Sequence, residues 1–145
     1  MARVYVEGKT DTGLVRPNNE DSYAALGTEE SPTGAEVFLV VADGMGGHAH
    51  GEIASRLTVD GVLRMVNVAG ESNPEGNRSY SAFLSEVFQH VNLEVYAAGR
   101  HTGMGTTCTA AAVRQDNLHI AHVGDSRAYL FRDGELRQIT RDHTW

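Results

Sequence analysis

The spacing of apolar and polar positions changes along the chain and divides it into elements. Residues 2–8 read as a strand, followed over 9–22 by a polar loop with Gly13, Pro17 and the Asn18-Asn19 pair. VFLVVA at 37–42 is apolar at every position. That predicts a strand covered on both pleat faces, ending at Asp43 where a glycine-rich turn begins. From about His50 the period becomes helical. Ile53, Leu57, Gly61, Met65 and Val68 recur on one side, with Ala54, Val62, Val66 and Ala69 beside them and Glu52, Arg56, Arg64 and Asn67 opposite. GESNPEGNR at 70–78 is a loop by composition. A second helix is expected over about 80–98, with Leu84, Val87, Phe88, Val91 and Val95 on one face. Two such helices in succession predict an antiparallel pair lying on one layer.

The remainder reads as β-structure, with strands at 106–113, 118–123, 127–132 and 136–139. Asp133-Gly134 between the last two is a hairpin signal, and the short links require antiparallel pairing. Strands, a helix pair and then a meander predict an α+β layered domain rather than alternating βαβ units. The sheets need cover on their second face, yet no further helix is left among the 145 residues. The chain is therefore expected to be a fragment of a domain, the alternative being that a partner supplies the cover.

Charge and cysteine content narrow the function. Nineteen acidic residues face eleven arginines and a single lysine, Lys9, for a formal charge of -7. No basic face for nucleic acid is in view, and an anionic membrane surface is disfavoured. The acids serve solubility or are gathered to hold a hard cation. Cys108 is the only cysteine, which excludes a disulfide framework and a cysteine-rich zinc site. It reads as a small core residue within TTCTAAAV. No secretory leader opens the sequence and no apolar run approaches the ~20 residues of a membrane span, so a cytoplasmic location is expected.

Three acidic stretches could carry chemistry. Asp43 ends a strand and precedes Gly44, whose carbonyl could approach a cation closely, while Gly46 and Gly47 keep the turn open. The same residues also suit a plain strand-to-helix turn with Asp43 as cap. They lack the Gly-Lys-Ser/Thr ending of a P-loop. In RPNNED, adjacent Glu20 and Asp21 repel each other unless a cation or solvent compensates, and Arg16 is a fork-shaped donor suited to phosphate. A solvated charged loop is the other reading. Asp125 follows an apolar strand and Gly124, as a further cation ligand or as a turn-forming partner of Arg127.

The histidines add little. His48 and His50 fit cap or surface positions. His119 and His122, three apart on a strand, face opposite sides and cannot share a metal. Asp142-His143 suits a hydrogen-bonded brace. An oxygen-only donor set selects magnesium or manganese over zinc. Two such ions could activate water and screen a phosphate, which points to metal-assisted phosphoester hydrolysis.

GLVRPNNED, VVADGMGGH, GTT, AHVGDSRAYLFRDGEL and ITRDHTW occur in this order between residues 12 and 145. Together they resemble the type 2C family of metal-dependent protein phosphatases in its bacterial form. The resemblance implies a sandwich of antiparallel β-sheets flanked by antiparallel helix pairs. Residues 1–145 would be the N-terminal portion of that catalytic domain, incomplete and with one helix pair. It implies that Asp43 bridges two ions of Mg2+ or Mn2+ and that the Gly44 carbonyl binds one of them. Glu20 and Asp21 would hold that ion directly or through water, and Asp125 would help hold a third, weaker ion. Arg16 would hold the substrate phosphate. A metal-activated water would attack phosphoserine or phosphothreonine in line, without a phosphoenzyme. The implied partners are phosphorylated proteins, the targets of a serine/threonine kinase.

Two departures stand out. Met45 occupies a position where some members carry a histidine proposed as general acid, and the family's later metal-binding aspartates have no counterpart in these residues. Weak metal binding and little activity are therefore expected of the 145 residues alone. A non-catalytic phosphatase-like interaction module is the alternative. The uncovered face is expected to be open to dimerisation or strand exchange.

Overall fold

The computed structural model describes residues 3–32, 34–47, 50–72 and 79–144, with the backbone only at 69–72. His48, most of the predicted loop at 70–78 and Trp145 lie outside the described residues. Strand β1 (Asp21–Leu26) pairs antiparallel with β2 (Val37–Met45). After β2 come helices α1 (His50–Ser72) and α2 (Tyr80–Gly99). The chain then returns through the two-residue β3 (Gly105–Thr106) into β4 (Cys108–Arg114) and β5 (Asn117–Val123). The sheet runs in the order β1-β2-β4-β5, with β3 extending the pairing at the end of β2. A separate hairpin joins β6 (Tyr129–Arg132) to β7 (Glu135–Gln138). Its two-residue turn has Asp133 at φ 54° and Gly134 at φ 81°, the positive values that match a turn to the twist of its strands. The architecture is α+β, as the order of periodicities predicts.

One face of the sheet carries the core. Phe38, Val40 and Ala42 of β2 and Cys108, Ala110 and Ala112 of β4 pack under Ala54, Val59, Val62 and Val66 of α1 and Leu84, Val87, Val91 and Val95 of α2. Cys108 is buried there, and burial pushes its thiol up to about 12, so it packs as a small apolar residue and is no nucleophile.

Three expectations are corrected. No first strand forms among the described residues: 3–10 pair in no ladder. They pass beside β1, where Gly8 lies so close to the Tyr23 ring that a Cβ there would come within 2.1 Å of it. The second correction concerns β2, which is covered on one face only. Leu39 and Val41 are 37% and 42% exposed, on the same side as Tyr23. The third is the phase of α1. Its buried stripe runs through Ala54, Ser55, Thr58, Val59, Val62 and Val66, while Ile53, Leu57 and Val68 are exposed. Small residues win the interior because the helix lies close to the sheet, and the Ser55 hydroxyl is bonded to that of Ser22 on β1 at 3.0 Å.

The contrast between the two faces is testable by chemical denaturation of the 145-residue chain. Phe38→Ala should cost about 3–5 kcal/mol. Leu39→Ala, one position along and on the open face, should stay within about 0.5 kcal/mol.

Candidate active site

The β1–β2 register sets Asp21 directly across from Asp43. Residues so opposed have Cβ atoms about 4.5–5.5 Å apart, and like charges there repel. The Asp43 carboxyl is accordingly held above the usual carboxylate range. Burial is the first cause, followed by the charge of Asp21, a hydrogen bond with the Asp21 side chain, and the charges of Asp125 and Glu20. A cleft of about 610 Å3 opens over this pair, lined by Arg16, Glu20, Asp21, Asp43, Gly44 and Asp125 among others. The fold thus brings every site residue predicted from the sequence to one place. Among the described residues, no group of three acidic, histidine or cysteine side chains is drawn together at ligand spacing. The acids line the cleft as unscreened like charges do, and the electrostatics of Asp43 suit a positive charge among them. The donors are oxygens, which fits a hard divalent cation.

Two glycines bring helix and strand together at the cleft floor. A Cβ on Gly44 would lie 1.9 Å from the Gly51 carbonyl oxygen and 2.8 Å from that of Glu20. One on Gly51 would meet the Glu20 carboxylate at 2.8 Å. Gly44 therefore serves the docking of α1. The same approach seats the Glu20 carboxylate against the first turn of α1, where the helix dipole favours negative charge. Arg16 Nη1 lies 3.3 Å from Glu20 Oε2, with the Arg16 side chain 71% exposed at the rim. With the guanidinium so exposed and its contact as long as 3.3 Å, the pair contributes little, and Arg16 can exchange it for a stronger anion.

Asp125 stands on a turn made at Gly124 (φ 103°), where a Cβ would clash with the Thr107 side chain at 2.6 Å. Arg127 does not pair with it. Its guanidinium takes both oxygens of Asp142 at 2.6–3.1 Å and holds that carboxyl below the usual range. Asp142 and His143 are not a hydrogen-bonded pair either. His143 Nδ1 accepts from the Gly124 N–H at 3.2 Å, and the His143 backbone N–H donates to the Gly124 carbonyl at 2.8 Å. A brace forms at 142–143 as expected, but with partners far away in sequence. His119 and His122 do face opposite sides. His119 contacts Ser81 of α2, while His122 bonds to Thr109 and to the Arg141 carbonyl. Met45 sits on the cleft wall and is 55% exposed.

Sequence reasoning gave no role to Thr107 or Ser126. The Thr107 hydroxyl accepts from the Asp43 N–H at 2.9 Å and bonds to the Ser126 hydroxyl at 2.6 Å. The only hint in the sequence is a run of hydroxyl residues entering an apolar strand.

Known proteins share this fold. The family model described as Protein phosphatase 2C matches residues 17–144. The serine/threonine protein phosphatase PstP of Mycobacterium tuberculosis is 40% identical over 159 residues, covering 100% of this chain and 27% of that protein. The serine/threonine phosphatase stp of Listeria monocytogenes is 35% identical over 147 residues, covering 97% of this chain and 55% of that protein. Among solved structures, the PstP catalytic domain in complex with two manganese ions superposes with a TM-score of 0.77 at 38% identity, covering 97% of this chain and 56% of that one. The chain thus spans about half or less of the length of these relatives.

The repulsion at Asp43 makes a prediction for the metal-free protein. A carboxyl whose folded pKa lies above its unfolded value of about 3.9 binds its proton more tightly when folded, so stability falls as pH rises through that interval and stays lower above it. Asp43→Asn should therefore stabilise the metal-free protein at pH 7 by up to about 1 kcal/mol, a Tm rise of about 3 °C, and have no such effect at pH 3. Calorimetric scans at the two pH values check this.

Proposed function

The chain belongs to the protein phosphatase 2C family, and from that premise we propose that it is the N-terminal portion of the catalytic domain of a metal-dependent protein phosphatase acting on phosphoserine and phosphothreonine. The observation that carries this reading is the convergence of Asp21, Asp43, Glu20 and Asp125 with Arg16 around one cleft. In this reading Asp43, the Gly44 carbonyl, Glu20 and Asp21 would hold Mg2+ or Mn2+ ions, Glu20 and Asp21 directly or through water. Asp125 would help hold a further, weaker ion. Such ions supply activation of water and neutralisation of phosphate charge. The protein's own part is to orient these oxygens on rigid strand ends and to grip the substrate. Arg16 releases Glu20 and takes the phosphate oxygens, with its planar fork suited to two of them.

The partners in this reading are phosphorylated proteins, the targets of a serine/threonine kinase. A cytoplasmic location agrees with a lone, buried cysteine. Among the described residues, no helix is long and apolar enough to cross a membrane. The half-exposed Leu39 and Val41 support association through the open sheet face, between two copies or by strand exchange. Met45 favours a second reading. A thioether cannot donate a proton to the leaving group, and a cleft with no proton donor in its place would bind phosphoproteins with little turnover.

Phosphate release from a phosphothreonine peptide by the intact protein separates the two readings. Turnover that requires Mn2+ and disappears in Asp43→Ala is expected. Equal rates with and without the Asp43 carboxylate, or peptide binding with no release, would sink the enzyme assignment. Arg16→Ala should lower kcat/KM about 10–100-fold, the worth of a charge-assisted hydrogen bond of roughly 1.5–3 kcal/mol.

A further inference from the structure

We propose that Thr107 is a positioning residue that couples the Asp43 strand end to the Asp125 turn through its hydroxyl. The inference rests on the reading of the cleft as a divalent-cation site. Asp43 and Thr107 face each other where β2 meets the junction of β3 and β4. The Thr107 N–H donates to the Asp43 carbonyl at 2.9 Å, as in any antiparallel ladder. The return bond differs, because the Asp43 N–H donates to the Thr107 hydroxyl at 2.9 Å. The Thr107 carbonyl is engaged instead by the Thr106 hydroxyl at 2.8 Å. A side chain thus stands in for a backbone acceptor at Asp43, near the C-terminal end of β2. The same oxygen meets the Ser126 hydroxyl at 2.6 Å, one residue after Asp125.

The contact is built on both sides. Thr107 is 4% exposed, so water does not compete for its hydroxyl. Gly124, which opens the Asp125 turn, has no room for a Cβ because the Thr107 side chain occupies the space at 2.6 Å. From below, Thr109 bonds the His122 ring at 2.8 Å, and that ring reaches the Arg141 carbonyl at 3.0 Å, which anchors the segment that braces Gly124. The Asp43–Asp125 spacing is therefore set by one hydroxyl wedged between strand β2 and the turn at Gly124. Residues that orient a metal's ligands in this way govern affinity without touching the ion.

Two substitutions in the intact protein separate hydroxyl from shape. Thr107→Val keeps the branched side chain and removes the oxygen, whereas Thr107→Ser keeps the oxygen. Hydrogen exchange at the Asp43 amide and Mn2+ titration by calorimetry provide two readouts that need no turnover. Thr107→Val should speed exchange and weaken Mn2+ binding by roughly tenfold or more, with Thr107→Ser rescuing both. Ser126→Ala should loosen Mn2+ binding in the same direction, and in the double variant add little to Thr107→Val, since one contact cannot be lost twice. A serine variant that exchanges and binds as poorly as the valine variant, or a folded valine variant that exchanges and binds as wild type, overturns the proposal. Wild-type protein that takes up no Mn2+ overturns the cation reading itself, and the Asp43 exchange rate still decides the coupling. Should the valine variant fail to fold, Ser126→Ala decides alone, and unchanged Mn2+ affinity there counts against the hydroxyl link.

Discussion

The antiparallel register between β1 and β2 is the constraint from which the site follows. Ala24 pairs with Val40 and Leu26 with Phe38, all on the side packed under the helices. Because side chains alternate with a period of two, burying that set sends the other parity, including Asp21 and Asp43, to the opposite face. A slip of one residue would place the acids in the core and Phe38 in solvent, so the register cannot drift. The hydrophobic core therefore holds two carboxylates opposite each other against their repulsion. The favourable burial of Phe38 and Val40, fully enclosed, outweighs a repulsion of about 1 kcal/mol or less.

A second contact ties the helix layer to the same place. Gly44 and Gly51 have no side chains where β2 ends and α1 begins, and the Glu20 backbone and carboxylate fill the remaining space. The Gly44 N–H continues the ladder by donating to the Glu20 carbonyl at 3.0 Å. Cleft geometry is thus inseparable from helix docking. A side chain at either glycine would displace α1, and with it the wall against which Glu20 rests. The electrostatics follow the same logic: one carboxylate faces a helix N-terminus, another the end of a strand, and a rim arginine balances the first.

Much of this was legible in the sequence, and what was not has identifiable causes. Strand and helix periods located β2, α2, β4 and β5 closely, and Asp133-Gly134 marked the β6–β7 turn. The acidic stretches were legible because each joins a carboxylate to a glycine or an apolar strand end. The phase of α1 was not, since hydrophobicity alone ranks Ile53 and Leu57 above Ser55 and Thr58, yet close packing on the sheet selects the small residues. The apolar run of β2 suggested cover on two faces, but continuous hydrophobicity records only what a strand can bury. The Arg127–Asp142 and His143–Gly124 contacts span 15 and 19 residues, and no local pattern encodes them. Thr107 and Ser126 escaped notice for the same reason: a hydroxyl acquires its role from the partner that folding delivers.

The face that carries the acid pair is also the face left apolar and half-exposed at Leu39 and Val41. These two properties act on each other. Desolvation already leads the causes that raise the Asp43 carboxyl, even with that side open to solvent. Any layer that packs there, a second copy of the chain or another sheet, removes more water from the carboxylates while burying the aliphatic side chains beside them. The hydrophobic gain and the electrostatic cost would then arrive together, at the same register positions. A divalent cation among the acids lowers that cost without disturbing the gain, because the ions replace the lost water as the counter-charge. Cover of the sheet and occupancy of the cleft are thus linked, and each should strengthen the other.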